Sequence, residues 1–278
     1  MLHEISPDIF NNTYNHTAVL KTDDYVLCFH EQKILLKKNG DDYNIPIHSD
    51  ITVSKSLDKI YLFALNACNC FFIEEKVDIT EGLVYEEISV LRNISNNAAT
   101  FIGMVGYQIM QWYTSNKYCG KCGTKTIYKK DERAITCPEC KNTIYPKISP
   151  AIIVAITSKD KILLAHNSLF REKFFSLVAG YLDVGESLEE AVAREVKEEV
   201  GINIRNVRYY KSQPWPFSSS VMIGFFAEAD DNQPIMIDNK EIVEAAWFTR
   251  DNLPNHPTQQ SIAGEMIDLF ISGKYKTL

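Results

Sequence analysis

Two cysteine pairs, "CGKCG" and "CPEC", set Cys119, Cys122, Cys137 and Cys140 in the pattern C-x2-C-x14-C-x2-C. No other feature limits the fold so tightly, because four thiolates that meet on one ion tie two turns and the chain between them together. The spacing is close to that of a four-thiolate zinc ribbon and one residue short of its usual gap. Each pair fits a tight turn in which glycine or proline lets two sulfurs converge, and the intervening "TIYKKDERAIT" fits a β-hairpin. A redox role for C-x-x-C requires one pair beside a βαβ unit, which two matched pairs do not fit. Four thiolates close the tetrahedron of Zn2+ and leave no place for water, so the expected ion is structural.

The remaining cysteines, Cys28, Cys68 and Cys70, lie in strand-like runs, where cysteine acts as a small hydrophobe. A total of seven is odd and argues against an exported disulfide framework. "MLHEISPDIF" has neither a basic region nor an apolar one of signal type, and the longest apolar stretch, Tyr61 to Ile73, is short and broken by Asn66 and Asn69. The expectation is a soluble, cytoplasmic protein that does not engage a membrane. With 278 residues the chain has room for two domains or more, and its net charge of −7 makes sequence-independent nucleic-acid binding an unsuitable main function.

Residues 1–94 carry short apolar or alternating runs ("YVLCFH", "KILLKK", "KIYLFALNACNCFFIEE") broken by Asp, Asn, Gly and Pro, which predicts a small β-rich domain. Residues 95–116 place Ala98, Ala99, Ile102, Val105, Ile109 and Trp112 at helical spacing and predict an amphipathic connecting helix. The cysteine module takes 117–147, and a further domain over 148–278 opens on the buried-strand run of "YPKISPAIIVAI". Between Lys117 and Lys147 eight basic side chains face Asp131, Glu132 and Glu139. A zinc tetrathiolate adds about −2, so this module stays basic within an acidic protein. That charge suits a phosphate-rich ligand; a solvated hairpin is the simpler reading.

The segment "GYLDVGESLEEAVAREVKEEVGI", Gly180 to Ile202, specifies a helix over 188–200: Ser187 and Glu190 form a capping box and Gly201 stands at the C′ position. Val192, Val196 and Val200 give it an apolar stripe. Glu195, Glu198 and Glu199 share a face of its last turns, at the negative pole of the helix dipole, which opposes each carboxylate by roughly 0.3–1 kcal/mol. Arg194 and Lys197 relieve part of this, and hard oxygen donors held at such a cost suit Mg2+ or Mn2+.

Gly180, Glu186, Arg194, Glu195, Val196, Glu198, Glu199, Gly201 and Ile202 fill the pattern G-x5-E-x7-R-E-U-x-E-E-x-G-U, with U aliphatic. The chain therefore resembles the Nudix hydrolases. The resemblance implies an α+β protein, a Nudix α/β/α sandwich preceded by the four-cysteine ribbon and the β-rich domain, that hydrolyses a nucleoside diphosphate linked to another group. It also implies metal binding by Glu195, Glu199 and the Ala179 carbonyl, with Arg194 orienting a glutamate. Glu241, in "NKEIVEAAWF", matches a metal-binding glutamate outside the box, and Glu228, in "AEAD", is the weaker competitor. None of the six histidines has the neighbours of a triad.

Downstream, "SQPWPFSSS" (212–220) resembles the S-Q-P-W-P-F-P-x-S signature of the NADH pyrophosphatase and NAD-capped RNA hydrolase subfamily, with Ser218 where the family has proline. By position this implies substrate contacts from Gln213, Pro214, Trp215, Pro216, Phe217, Ser218, Ser219, Ser220, Tyr181, Tyr145, Glu132 and Ala263. It implies cleavage of NAD(H) to nicotinamide mononucleotide and AMP, cleavage of the NAD cap of RNA to a 5′-monophosphate end, and a homodimer. A broader hydrolase of ADP-ribose or dinucleoside polyphosphates, and a non-catalytic NAD or RNA sensor, are the alternatives.

Overall fold

A computed structural model describes residues 1–51, 59–169, 173–237 and 239–277. They form two compact units: one takes 2–147 with 216–218, the other Met1, 148–215 and 219–278.

The first unit is built on a seven-stranded sheet of β1 (Phe10–Asn11), β2 (Tyr25–His30), β3 (Lys33–Asn39), β4 (Asp42–Asn44), β5 (Lys59–Leu65), β6 (Cys68–Ile73) and β7 (Leu83–Glu87). The order is β1-β5-β6-β2-β3-β4, with β7 also on β3; β2 and β6 run parallel and the other pairs antiparallel. β2 reads as a continuous apolar run because both of its faces are covered. Val26 and Cys28 point into a cluster with Leu35 and Ile73, while Phe29 meets Tyr107 of α1 (Asn97–Ser115).

Asn96 caps that helix by accepting from the Ala99 amide. Its burial is wider than the single stripe expected: Thr100, Gly103, Gly106 and Tyr107 are enclosed as well. The cause is cover from two directions, since Leu27 of the sheet closes on Gly106 while Leu91 and Ile45 close on Gly103. Cys28 and Cys70 are buried as expected of small hydrophobes, with burial pushing the Cys28 thiol up to about 12; Cys68 is only half-buried.

Three short antiparallel strands, β8 (Ile127–Tyr128), β9 (Ile135–Thr136) and β10 (Thr143–Ile144), complete the first unit as the ribbon. Arg133 anchors it to the larger sheet, donating to the side chain of Asn12 at 2.6 Å and to the Leu62 carbonyl.

The second unit is a six-stranded mixed sheet of β11 (Ser149–Ser158), β12 (Lys161–Asn167), β13 (Val178–Tyr181), β14 (Arg205–Trp215), β15 (Ser220–Glu228) and β16 (Ile242–Thr249). Its order is β14-β15-β11-β12-β16, with β13 also on β11. Only β11 and β15 are parallel, over nine paired residues. Successive side chains of β11 alternate between two cores: Ile152, Val154 and Ile156 pack with Val192, Val196 and Val200 of α2 (Leu188–Val200), and Ile153 and Ala155 with Ile262, Met266 and Phe270 of α3 (Ile262–Ser272). A helix on each face makes this an α/β/α sandwich and the protein α+β. Among the described residues no helix is long and apolar enough to cross a membrane.

Candidate active site and zinc centre

The two cysteine turns of the ribbon are the same device used twice. The Gly123 amide donates to the Cys119 carbonyl at 2.8 Å, and the Lys141 amide to the Cys137 carbonyl at 3.1 Å. Both closing residues adopt left-handed backbone, Gly123 at φ +75° and Lys141 at φ +59°, so the second turn carries a strain that glycine avoids in the first. Within each turn an amide points at sulfur: Lys121 N at Cys119 Sγ and Cys140 N at Cys137 Sγ, both at 3.4 Å. Amides of Lys121 and Cys122 hold the Cys119 thiol below its ordinary range.

The four Sγ atoms lie within 4.8 Å of one another, with Cys119–Cys140 at 3.6 Å and Cys122–Cys137 at 3.4 Å. A tetrahedron with Zn–S bonds of about 2.3 Å has edges of about 3.8 Å. The sulfurs fit a structural zinc.

In the second unit α2 has the ends its sequence predicts. Ser187 Oγ accepts from the Glu190 amide at 3.3 Å, Glu190 Oε2 accepts from the Ser187 amide at 2.8 Å, and Gly201 is left-handed at φ +74°. Lys197 donates to the Gly201 carbonyl at 3.0 Å, which places its cation on the exposed carbonyl end of the helix.

Arg194 organises the acidic cluster. Its Nε and Nη2 grip both oxygens of Glu186 at 2.7 and 2.8 Å, its Nη1 donates to Glu195 at 2.9 Å and Glu198 at 3.0 Å, and Nη2 also reaches the Tyr181 carbonyl at 3.0 Å. A planar fork with five donors can make these bonds at once; an ammonium cannot. Its hydrogen bonds hold Glu186 down at about 2. Glu186 is thus the chief anchor of Arg194, a role that only the folded structure shows.

The three helix glutamates do not share one environment, although they share a helical face. Glu199 is buried, the Glu195 side chain is 12% exposed, and that of Glu198 is 60% exposed. Burial raises the Glu195 carboxyl, Arg194 opposes the rise, and the charges of Glu198 and Glu241 add to it. The Glu195 carboxyl lies directly against Gly180 of β13: a Cβ there would stand 2.0 Å from its Cδ and 2.2 and 2.4 Å from its oxygens. Ala179, the neighbour of Gly180, pairs with Ile153 of β11. Glu241 is exposed just before β16, where its carbonyl accepts from Ser168 at 2.8 Å.

Two withdrawn carboxylates at the negative end of a helix form a donor set for a hard divalent cation. Among the described residues, however, the four cysteines are the one group of three or more metal-type donors within 4.8 Å of one another; the carboxylates of Glu195, Glu199 and Glu241 are not drawn together in that way. Glu228 lies elsewhere. It pairs with Thr157 at the far end of β11 from Ala151, the partner of Tyr181, a span of six residues or about 20 Å, and it accepts from Asn206 at 3.0 Å.

The stretch 212–220 is mostly a hairpin. Ser212–Trp215 end β14, Pro216–Ser218 make a 3-10 turn, Ser219 is left-handed at φ +52°, and Ser220 starts β15. β14 is the sheet edge, so Pro214 can lie in it without breaking an inner ladder. Gln213 is fully buried rather than presented to a ligand: its Nε2 donates to the Gln260 carbonyl at 3.0 Å and its Oε1 accepts from the Ile262 amide at 2.7 Å. Its side chain fixes the start of α3, where Ala263 is also buried in the core. Trp215 is half-buried, Pro214 exposed and Tyr181 53% exposed. Pro216–Ser218 belong to the first unit, in which Phe217 lies under the Arg92 guanidinium at 4.3 Å. In that unit Tyr145 donates to Glu132 at 3.2 Å, and Lys129 also pairs with Glu132.

With this geometry in view, residues 147–270 match the family model of the NUDIX domain. Those residues resemble a NUDIX domain. Residues 115–145 ahead of it match the NADH pyrophosphatase zinc ribbon domain. Over 163 residues the chain is 47% identical to a protein of Shigella dysenteriae serotype 1 called NAD-capped RNA hydrolase NudC, and equally to its namesake in Escherichia coli O1:K1 / APEC. The aligned part is 59% of this chain and 63% of each relative, somewhat under two thirds of their length. A NUDIX hydrolase structure from Nitrosomonas europaea has the same fold at 20% identity and TM-score 0.50, covering 58% of this chain and 93% of that one. A NUDIX domain uses divalent cations, which agrees with the withdrawn carboxylates on α2.

Proposed function

We propose that this protein hydrolyses the pyrophosphate bond of NAD(H) to nicotinamide mononucleotide and AMP, and the same bond in the NAD cap of RNA, leaving a 5′-monophosphate end. The observation that carries the reading is the 47% identity to NAD-capped RNA hydrolases, over more than half of the chain, together with a ribbon of the NADH pyrophosphatase type before the NUDIX domain. It entails a chain organised as 1–94, 95–116, 117–147 and 148–278, working in the cytoplasm as a homodimer; sedimentation at micromolar concentration tests the dimer.

Glu195, Glu199, Glu241 and the Ala179 carbonyl would hold Mg2+ or Mn2+. Such cations neutralise phosphate oxygens and lower the pKa of an attacking water. The Gly180 seat sets where the Glu195 carboxyl stands, and Arg194 fixes its direction while sparing the acidic cluster part of its self-repulsion. Glu198, the most exposed of the three helix glutamates, can reach solvent and take part in proton removal. Tyr181 offers an exposed ring for stacking on a base, and Glu132, Tyr145, residues 213–220 and Ala263 are the further substrate contacts that the subfamily resemblance implies by position.

Comparing kcat/KM for NADH, NAD+, ADP-ribose and a short NAD-capped RNA in one buffer tests the assignment. NADH or capped RNA at the top supports it. ADP-ribose at the top would replace it with the broader hydrolase.

A further inference from the structure

The first unit holds two adjoining cavities of about 580 and 350 Å3 that share Glu74 and Tyr128. They run along the ribbon strand β8 and beside β5 of the larger sheet. Lys59, Lys117, Lys125, Lys129 and Lys130 line them, with Glu74 as the carboxylate among the lining residues. Among the described residues the lining charge is +4 with histidine neutral, in a chain whose net charge is −7. Lys117 pairs with Glu74, and Lys129 with Glu132. Lys59, Lys125 and Lys130 form no ion pair with a carboxylate among the described residues.

A flat aromatic surface stands in this cationic groove. The Tyr128 ring is held edge-on to buried Tyr113, with centroids 4.9 Å apart at 73°, yet the residue is 46% exposed. Its neighbour Ile127 is 52% exposed. Cations spaced along a groove and a pre-set aromatic face are the two elements of sequence-tolerant binding to single strands, one taking phosphates and the other stacking on unpaired bases.

We propose that this groove binds single-stranded RNA. That the strand is RNA rests on the decapping reading, whereas the binding does not. A duplex hides its base faces and forgoes the Tyr128 stack. A free mononucleotide offers the lysines one phosphate group where a strand offers several.

Fluorescence anisotropy with a labelled, uncapped 5′-monophosphate RNA of twelve nucleotides tests this without any catalysis. Charge reversal in K125E/K130E should weaken binding at least tenfold and reduce the slope of log K against log salt by about 1.4, at roughly 0.7 for each phosphate no longer neutralised. Tyr128→Ala should weaken binding about tenfold and leave that slope unchanged. One zinc per chain in each variant would show that the ribbon remains folded. Unchanged affinity in both variants, or equal affinity of the wild type for a duplex of the same length, would overturn the groove. NADH turnover by the wild type, run in parallel, reports on the hydrolase reading alone: its absence would overturn that reading and leave the binding result standing.

Discussion

Gly180→Ala is the sharpest single perturbation of the acidic site. The added Cβ would stand 2.0 Å from Glu195 Cδ, and ordinary contact begins near 3.4 Å, so the carboxyl must retreat by about 1.4 Å. Gly180 cannot give way equally, because β13 is fixed to β11 through Ala151–Tyr181 and Ile152–Gly180. The clash therefore falls on the flexible end of Glu195, which swings off its seat and off Arg194. Displacement of a reacting group by about 1 Å costs on the order of 100-fold in rate. Losing one charge-assisted bond to a side chain only 12% exposed costs about 1.5–3 kcal/mol of stability at most, less whatever the displaced carboxyl regains from water. The expected variant is folded, binds zinc, melts a few degrees lower and hydrolyses NADH about 100-fold more slowly in kcat. Wild-type kcat in a folded Gly180→Ala protein would refute the placement of Glu195 as a positioned metal ligand.

Three further outcomes follow from other parts of the structure. Asp231 accepts from Lys161 at 2.8 Å and Ser158 at 3.1 Å, and the Lys161 bond holds it down at about 2. A depressed carboxyl stabilises the fold above its unfolded value near 4 and loses that effect as pH falls towards 2; melting curves of Asp231→Asn between pH 6 and 2 should therefore fall less steeply than those of the wild type. Gln213→Leu leaves the buried Ile262 amide without its side-chain acceptor and should cost roughly 2 kcal/mol in urea unfolding. Lys141→Gly relieves a left-handed lysine at φ +59° and should raise the stability of the zinc-loaded protein by up to about 1 kcal/mol; a drop in its melting temperature would contradict the strain.

Much of this could be read from the chain itself, where local chemistry decides. Ser187, Glu190 and Gly201 mark both ends of α2, and the cysteine spacing brings four sulfurs within reach of one ion. The unbroken apolar run of β11 reflects helices on both faces of the sheet, each taking alternate side chains. What escaped depends on which strand becomes an edge and which distant groups meet. Pro214 marks a loop in isolation, yet β14 at the edge accepts it. Gln213 is a ligand donor in appearance until the Gln260 carbonyl and the first amide of α3 take both of its polar atoms. The Glu186–Arg194 fork and the Gly180 seat join β13, the following turn and α2, and nothing in the spacing alone says that the glutamate anchors the arginine or that the glycine makes room for Glu195. Burial of α1 on several sides likewise comes from Leu91 and Ile45, outside its own periodicity.

The most direct test separates products from purified protein incubated with NADH and Mg2+ or Mn2+, alongside Glu199→Gln. Glu199 is buried in the last turn of α2, and glutamine keeps its shape while removing its charge. The expected result is AMP and reduced nicotinamide mononucleotide in equal amounts from the wild type and none above background from the folded variant. Full turnover by Glu199→Gln, or no AMP from the wild type with either metal, would contradict a metal-dependent NAD(H) pyrophosphatase built on this helix.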